Sequence, residues 1–64
     1  MNIVVADDLP KTALELLKAE GALYPKEIAD LLRKPHGSIR YLLFAMKKEG
    51  QVSNNERGQY ILSA

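Results

Sequence analysis

The chain lacks cysteine and contains a single histidine, and these absences exclude or disfavour several kinds of site. Without cysteine it forms no disulfide and offers no thiolate nucleophile. A structural zinc ion takes four ligands, mostly cysteine and histidine, so a lone His36 disfavours a zinc site. His36 also has no serine or cysteine nucleophile paired with it. We therefore predict that the chain is not an enzyme and holds no metal or cofactor.

Long apolar runs are also scarce. The longest, Tyr41 to Met46, has six residues, whereas a membrane-spanning helix needs about 20. The first eight residues have no basic start and turn acidic at Asp7 and Asp8, unlike a signal peptide. A chain of 64 residues has room for one hydrophobic core. We expect residues 1–64 to form a single cytoplasmic domain with no membrane partner.

The formal net charge of +1 conceals an uneven distribution of charge along the chain. Residues 1–32 hold six acidic and three basic residues, which gives a net charge of −3. Residues 33–64 hold six basic and two acidic residues, which gives a net charge of +4. This asymmetry is compatible with an ordinary solvated surface and also with an anionic partner for the basic half.

An amphipathic helix is predicted over residues 9–20. Apolar residues recur there with helical spacing at Leu9, Ala13, Leu16 and Leu17. Asp7 or Asp8 is suited to cap the start of this helix, and Pro10 is tolerated in its first turn. Gly21 is suited to end the helix in a left-handed conformation.

Two further helices are predicted over residues 25–33 and 36–49. The dipeptide Tyr24-Pro25 marks the start of the helix over residues 25–33. Its apolar residues are Ile28, Ala29, Leu31 and Leu32. Pro35 stops this helix and is suited to be the first residue of the next one. The third helix ends at Gly50 and has one apolar face, formed by Ile39, Leu42, Leu43 and Met46.

A β-hairpin is predicted over residues 51–62, because the helical period stops after Gly50. Val52 precedes a polar loop, Ser53 to Gly58, and the segment from Gln59 to Leu62 has the composition of a strand. Near the N-terminus, the segment Ile3-Val4-Val5 predicts either a further short strand or an apolar arm used in packing.

The second and third predicted helices have the spacing of a helix-turn-helix pair. Four stretches match core positions of a known pattern: Pro25 to Leu32, Ser38 to Leu43, Met46 to Val52 and Gly58 to Ile61. With them the chain resembles the winged helix-turn-helix family, whose third helix commonly reads Ser/Thr-Val-x-x-x-Leu-x-x-Leu-x-x-x-Gly-x-Val. The resemblance implies a small α+β domain, with three helices followed by a β-hairpin wing, and it implies DNA binding.

The third helix presents an outward face opposite its apolar face. With Ile39 at the buried centre and roughly 100° per residue, Gly37, Arg40, Tyr41, Phe44 and Lys48 point outward, flanked by Ser38 and Lys47. A recognition helix presents such a face to the major groove. The predicted DNA-contacting residues are Lys34, His36, Gly37, Ser38, Arg40, Tyr41, Phe44, Lys47, Lys48 and Arg57.

Each predicted contact has a chemical reason. Gly37 and Ser38 allow the backbone to approach closely, and Ser38 is suited to bond a phosphate or a base edge. Arg40 is suited to guanine O6 and N7, and Tyr41 to a phosphate or a thymine methyl. Arg57 at the wing tip is suited to the backbone or an A·T minor groove. Phosphate contacts are expected from Lys34, Lys47 and Lys48, and a surface or phosphate contact from His36.

Phe44 departs from the family, which usually has a polar or charged residue at this position. Three explanations stay open. The N-terminal arm covers Phe44, or Phe44 belongs to a dimer surface, or the chain resembles the Z-DNA-binding winged-helix domains, which carry an aromatic residue there. Those domains typically have Asn where this chain has Arg40, and a Pro-Pro pair where it has Arg57-Gly58-Gln59.

The leading hypothesis is a DNA-binding module, a small transcriptional regulator that inserts its third helix into the major groove of double-stranded DNA. The alternative is a protein–protein interaction module that uses Tyr41 and Phe44. One domain of this size covers only a short half-site, so we expect either a homodimer, formed through Ile3 to Val5 and the first helix, or a partner protein. Tyr24 and Tyr60 are expected to pack in the core or the hairpin.

Overall fold

The computed structural model describes residues 9–63, which form three helices and a small antiparallel sheet. In chain order the elements are α1 (Leu9–Glu20), β1 (Ala22–Leu23), α2 (Pro25–Leu32), α3 (His36–Lys48), β2 (Val52–Asn54) and β3 (Tyr60–Leu62). This is the predicted α+β layout, with the β-hairpin after the third helix. None of these helices is long and apolar enough to cross a bilayer.

Helix α1 forms because its apolar residues share one face. Ala13 and Leu17 are fully buried, and the rest of the predicted stripe packs at the margin of the core. Gly21 ends the helix as predicted, with φ +92°, and its N–H donates to the carbonyl oxygen of Leu17 at 2.8 Å. The strand or arm and the acidic caps predicted within residues 3–8 lie outside the described residues.

Helix α2 begins at Pro25, whose missing N–H costs nothing in a first turn. The backbone N–H of Tyr24 donates to Oε1 of Glu27 at 2.8 Å and so fixes the start of the helix. The helix ends at Leu32, one residue before the predicted boundary, because Arg33 adopts a left-handed conformation with φ +56°. Arginine tolerates this conformation less well than glycine does.

Helix α3 begins at His36, and Pro35 lies just before it with φ −59° and ψ 141°. Pro35 was predicted to be the first residue of this helix. In the structure it is instead at the N-cap position, where an extended ψ is usual. Its carbonyl oxygen accepts the N–H of Ile39 at 3.2 Å. The helix ends at Lys48, because Glu49, predicted as its last residue, has left the helical region with ψ 2°.

The sheet has the strand order β1-β3-β2, and both pairs are antiparallel. β2 and β3 form the predicted hairpin, with Ser53 opposite Ile61. β1 pairs with the other edge of β3 and places Ala22 opposite the same Ile61. The sequence prediction misses β1, because two residues after a helix-ending glycine are too few to display the period of a strand.

The core draws on all three helices and on two strands. Its buried residues are Ala13, Leu17, Leu23, Ile28, Ala29, Ile39, Leu43, Met46 and Val52. The predicted inner face of α3 is confirmed, with three of its four residues fully or almost fully buried and Leu42 half-buried. Burial of this face fixes which residues of α3 point into solvent.

Leu31 is the exception among the apolar residues of α2. Its side chain is 56% exposed, whereas Ile28 and Ala29 are buried. At 100° per residue, Leu31 lies about 110° from the direction midway between those two residues. The prediction placed Leu31 with the apolar residues of the helix without resolving this angle.

We expect the substitution Leu43→Ala to lower the free energy of unfolding by about 2–5 kcal/mol, because it leaves a cavity in a fully buried position. Denaturant titration followed by circular dichroism measures this change. Leu31→Ala removes the same atoms from an exposed site and should change the free energy by less than about 0.5 kcal/mol. Equal losses in the two variants would contradict the burial described for α3.

Candidate nucleic-acid interface

The outermost part of α3 is a line of four residues, Gly37, Tyr41, Phe44 and Lys48, here called the outer line. These residues recur at helical spacing on the side opposite the buried Ile39. Tyr41 is 77% exposed and Phe44 is 57% exposed, as their predicted outward positions require. The Nζ atom of Lys48 lies 5.5 Å from the centroid of the Phe44 ring, within the range of a cation–π contact.

The outer line lies within a stretch of sequence that contains basic residues and no acidic ones. Residues 33–48 include five arginines and lysines and no acidic residue. All five are exposed: Arg33, Lys34, Arg40, Lys47 and Lys48. Arg33 is a candidate contact that the sequence analysis omitted. Its position directly before Lys34, in the turn between the two central helices, is the signal that could have identified it.

Lys47 has a structural partner that its sequence position does not reveal. Its Nζ atom donates to Oδ1 of Asn54, at 2.6 Å, and so connects the end of α3 to strand β2. Lys47 was predicted to meet a phosphate, and in this structure its ammonium is engaged within the chain. Its three donor hydrogens leave capacity for a second acceptor.

The wing, residues 51–62, has its turn organised by Asn55. The Asn55 Oδ1 atom accepts the N–H groups of Arg57, at 3.0 Å, and of Gln59, at 2.9 Å. The Asn55 Nδ2 group donates to Oε1 of Gln59 at 3.0 Å. Gly58 completes the turn with φ +84°. These contacts hold Arg57 at the exposed tip, beside Glu56.

A surface groove of about 480 Å³ runs between the start of α2 and the first half of α3. Its lining residues are Tyr24, Pro25, Lys26, Glu27, His36 and Arg40. Tyr24 is 43% exposed here, so the prediction that it packs in the core or hairpin is wrong. The turn between α2 and α3 brings Tyr24 and Lys26 next to the predicted contacts His36 and Arg40. That proximity depends on tertiary structure and leaves no trace in the local pattern.

Nine of the ten predicted contact residues lie on α3 or on the turn just before it, and all nine are exposed. Arg57 lies apart from them, on the wing. Within residues 9–63, no group of three or more histidine and acidic side chains is arranged to hold a metal ion. The surface that the ten predicted contact residues form is cationic and aromatic, since it carries arginine, lysine, tyrosine and phenylalanine side chains.

Gly37 is not required by the fold. Its φ is not left-handed, and a Cβ atom added to it would meet nothing within 4 Å. Gly37→Ala should therefore raise the free energy of unfolding by up to about 1 kcal/mol, the helix propensity difference between the two residues. Chemical denaturation measures the change.

Gly50→Ala is the matched control, since Gly50 has φ +80°. An alanine there is strained and should lower the stability. Destabilisation by Gly37→Ala would show that the folded chain itself requires the glycine in α3.

Comparison with known proteins adds no relative to this description. Neither the family models, nor the curated proteins, nor the solved structures gave a match to the chain.

Proposed function

We propose that the chain is a winged-helix DNA-binding module, a small transcriptional regulator that places α3 in the major groove of double-stranded DNA. The order of helices and strands supports the winged-helix layout. In the proposed complex, the N-terminal half of α3 meets base edges and the wing meets the sugar-phosphate backbone or the minor groove.

The cationic stretch from residue 33 to residue 48 is the observation that carries the proposal. Five exposed positive charges with no intervening acid lie along one helix and the turn before it. Phosphate contacts from lysine and arginine supply nearly all of the non-specific affinity of a protein for DNA and a large share of the specific affinity. A concentration of cations on an exposed helix is the electrostatic signature of such a surface.

The proposed contacts divide into two kinds. Arg40 and Ser38, near the start of α3, are placed to meet base edges, and arginine pairs in two-pronged fashion with guanine. Lys34 and Lys48, at the two ends of the helix, are placed to meet phosphates on either side of the groove. The Lys47–Asn54 hydrogen bond connects the end of α3 to strand β2, in the same hairpin that carries Arg57.

The first helix lacks such a concentration of bases. On α1 the exposed Glu15 and Glu20 are balanced by the exposed Lys11 and Lys18, whereas α3 and the turn before it carry five bases and no acid. An asymmetric charge distribution orients the molecule in the field of the DNA. A single domain contacts few phosphates, so we propose that it acts as a homodimer or with a partner protein.

A second function is favoured by the exposure of Tyr41 and Phe44. Aromatic residues are enriched at the energetic centres of protein interfaces. If the outer line contacts another protein, the domain is a protein–protein interaction module. A second copy of the chain is the simplest partner to test.

Binding to random-sequence duplex DNA should weaken steeply with salt. If the chain neutralises about four phosphates, log affinity falls against log salt with a slope near −3.6. Affinity should then drop about 150-fold between roughly 50 and 200 mM salt. Fluorescence anisotropy of a labelled duplex measures the slope, and the saturation point gives the number of chains bound.

Two lysine variants make this titration specific. Lys34→Ala should reduce the steepness by about one unit if Lys34 meets a phosphate. Lys11→Ala removes an exposed base from α1 and should leave the slope unchanged. Absence of binding at about 50 mM salt, where phosphate contacts are strong, would contradict the DNA proposal.

The protein-interaction function predicts self-association that salt hardly weakens. Phe44→Asp should abolish that association without unfolding the chain, because Phe44 is largely exposed. Leu31→Asp is the matched control, with nearly equal exposure on a different helix. Sedimentation equilibrium over a range of concentrations measures both variants, and a monomeric parent chain would remove this candidate in its homodimeric form.

A further inference from the structure

We infer that Phe44, together with Tyr41, contacts the C5-methyl groups of thymine in the major groove, so that the chain prefers duplexes rich in methylated pyrimidines. The inference rests on the proposed function, since it requires α3 to lie in the major groove. It goes further because it names the chemical group that the exposed aromatic residues recognise.

The position of Tyr41 and Phe44 on α3 would bring both rings close to the base edges. A helix that enters a groove brings its outermost residues nearest to the base edges. On α3 these belong to the outer line, and its two central members are the exposed rings of Tyr41 and Phe44. Arg40 lies about 70° around the helix from this line, where its long side chain still reaches towards a base edge, and Lys47 lies about 90° from it, towards a wall of the groove.

The major groove offers an apolar ring one kind of favourable contact. The edges of base pairs in the major groove present hydrogen-bond donors and acceptors, and thymine adds one hydrocarbon group, its C5-methyl. The Phe44 ring has no hydrogen-bonding atom, so it cannot satisfy a donor or an acceptor on a base edge. Its favourable contact in the groove is the methyl group.

The Lys48 ammonium places a positive charge beside the Phe44 ring. It lies over the Phe44 ring, 5.5 Å from the centroid, and is itself exposed. A cation at this position is available to a phosphate of the strand whose bases the ring touches. Leu31 has nearly the same exposed fraction as Phe44 but lies on α2, outside the outer line.

The test compares an alternating A·T duplex with the same duplex in which every thymine is replaced by deoxyuridine. The replacement removes only the C5-methyl groups. We expect affinity to fall about fourfold for each methyl group contacted, the value of one buried CH₂ group. A G·C duplex containing 5-methylcytosine should bind more tightly than its unmethylated counterpart by a similar factor.

Protein variants assign the effect to the ring. Phe44→Ala should reduce the difference in affinity between the thymine and deoxyuridine duplexes by about fourfold and leave only the part that Tyr41 contributes, whereas Leu31→Ala should keep the full difference. Thermal denaturation of both variants verifies that each is folded. Loss of the difference in Leu31→Ala as well would show that the methyl effect does not arise at Phe44.

The outcomes separate this inference from the proposed function. Equal binding of the thymine and deoxyuridine duplexes, with a steep salt dependence retained, overturns methyl recognition and leaves DNA binding in place. Absence of salt-dependent duplex binding overturns the proposed function itself. Tighter binding to single-stranded oligothymidine than to the duplex overturns the inference too, because the rings would then stack on unpaired bases.

Discussion

Burial of the inner face of α3 is the constraint on which the rest of this small structure depends. Ile39 and Leu43 are completely buried, and Met46 nearly so. Because a helix is rigid, burying these three residues determines the direction of every other side chain on α3. The outer line and its cationic surroundings are consequences of that packing, so the stability of the core and the geometry of the candidate interface have the same origin.

Periodic sequence features predicted most of the fold, and features without a local period did not. The three helices and the hairpin follow from apolar spacing, from Gly21 and from the proline positions. β1 has two residues and depends on pairing with β3, far along the chain. The exposure of Phe44 follows from a helical wheel, whereas the hydrogen bond from Lys47 to Asn54 joins a helix end to a strand and depends on tertiary geometry.

The candidate interface combines two chemical characters that are usually separate. Its charge suits an anionic partner, and its two exposed rings suit a partner with apolar groups. Nucleic acid offers both, since phosphates and base edges lie within a few ångströms of each other. A protein partner would have to combine acidic and apolar groups at the same spacing. This joint requirement supports the proposal of DNA binding over that of a purely apolar docking partner.

The position of β3 in the centre of the sheet has a consequence for how the chain folds. β3 follows β1 and β2 in sequence, yet both of them pair with it and not with each other. Within residues 9–63, neither β1 nor β2 has a hydrogen-bonding neighbour in the sheet until residues 60–62 have docked between them. The helices, whose contacts are local, are therefore expected to form before the sheet during folding.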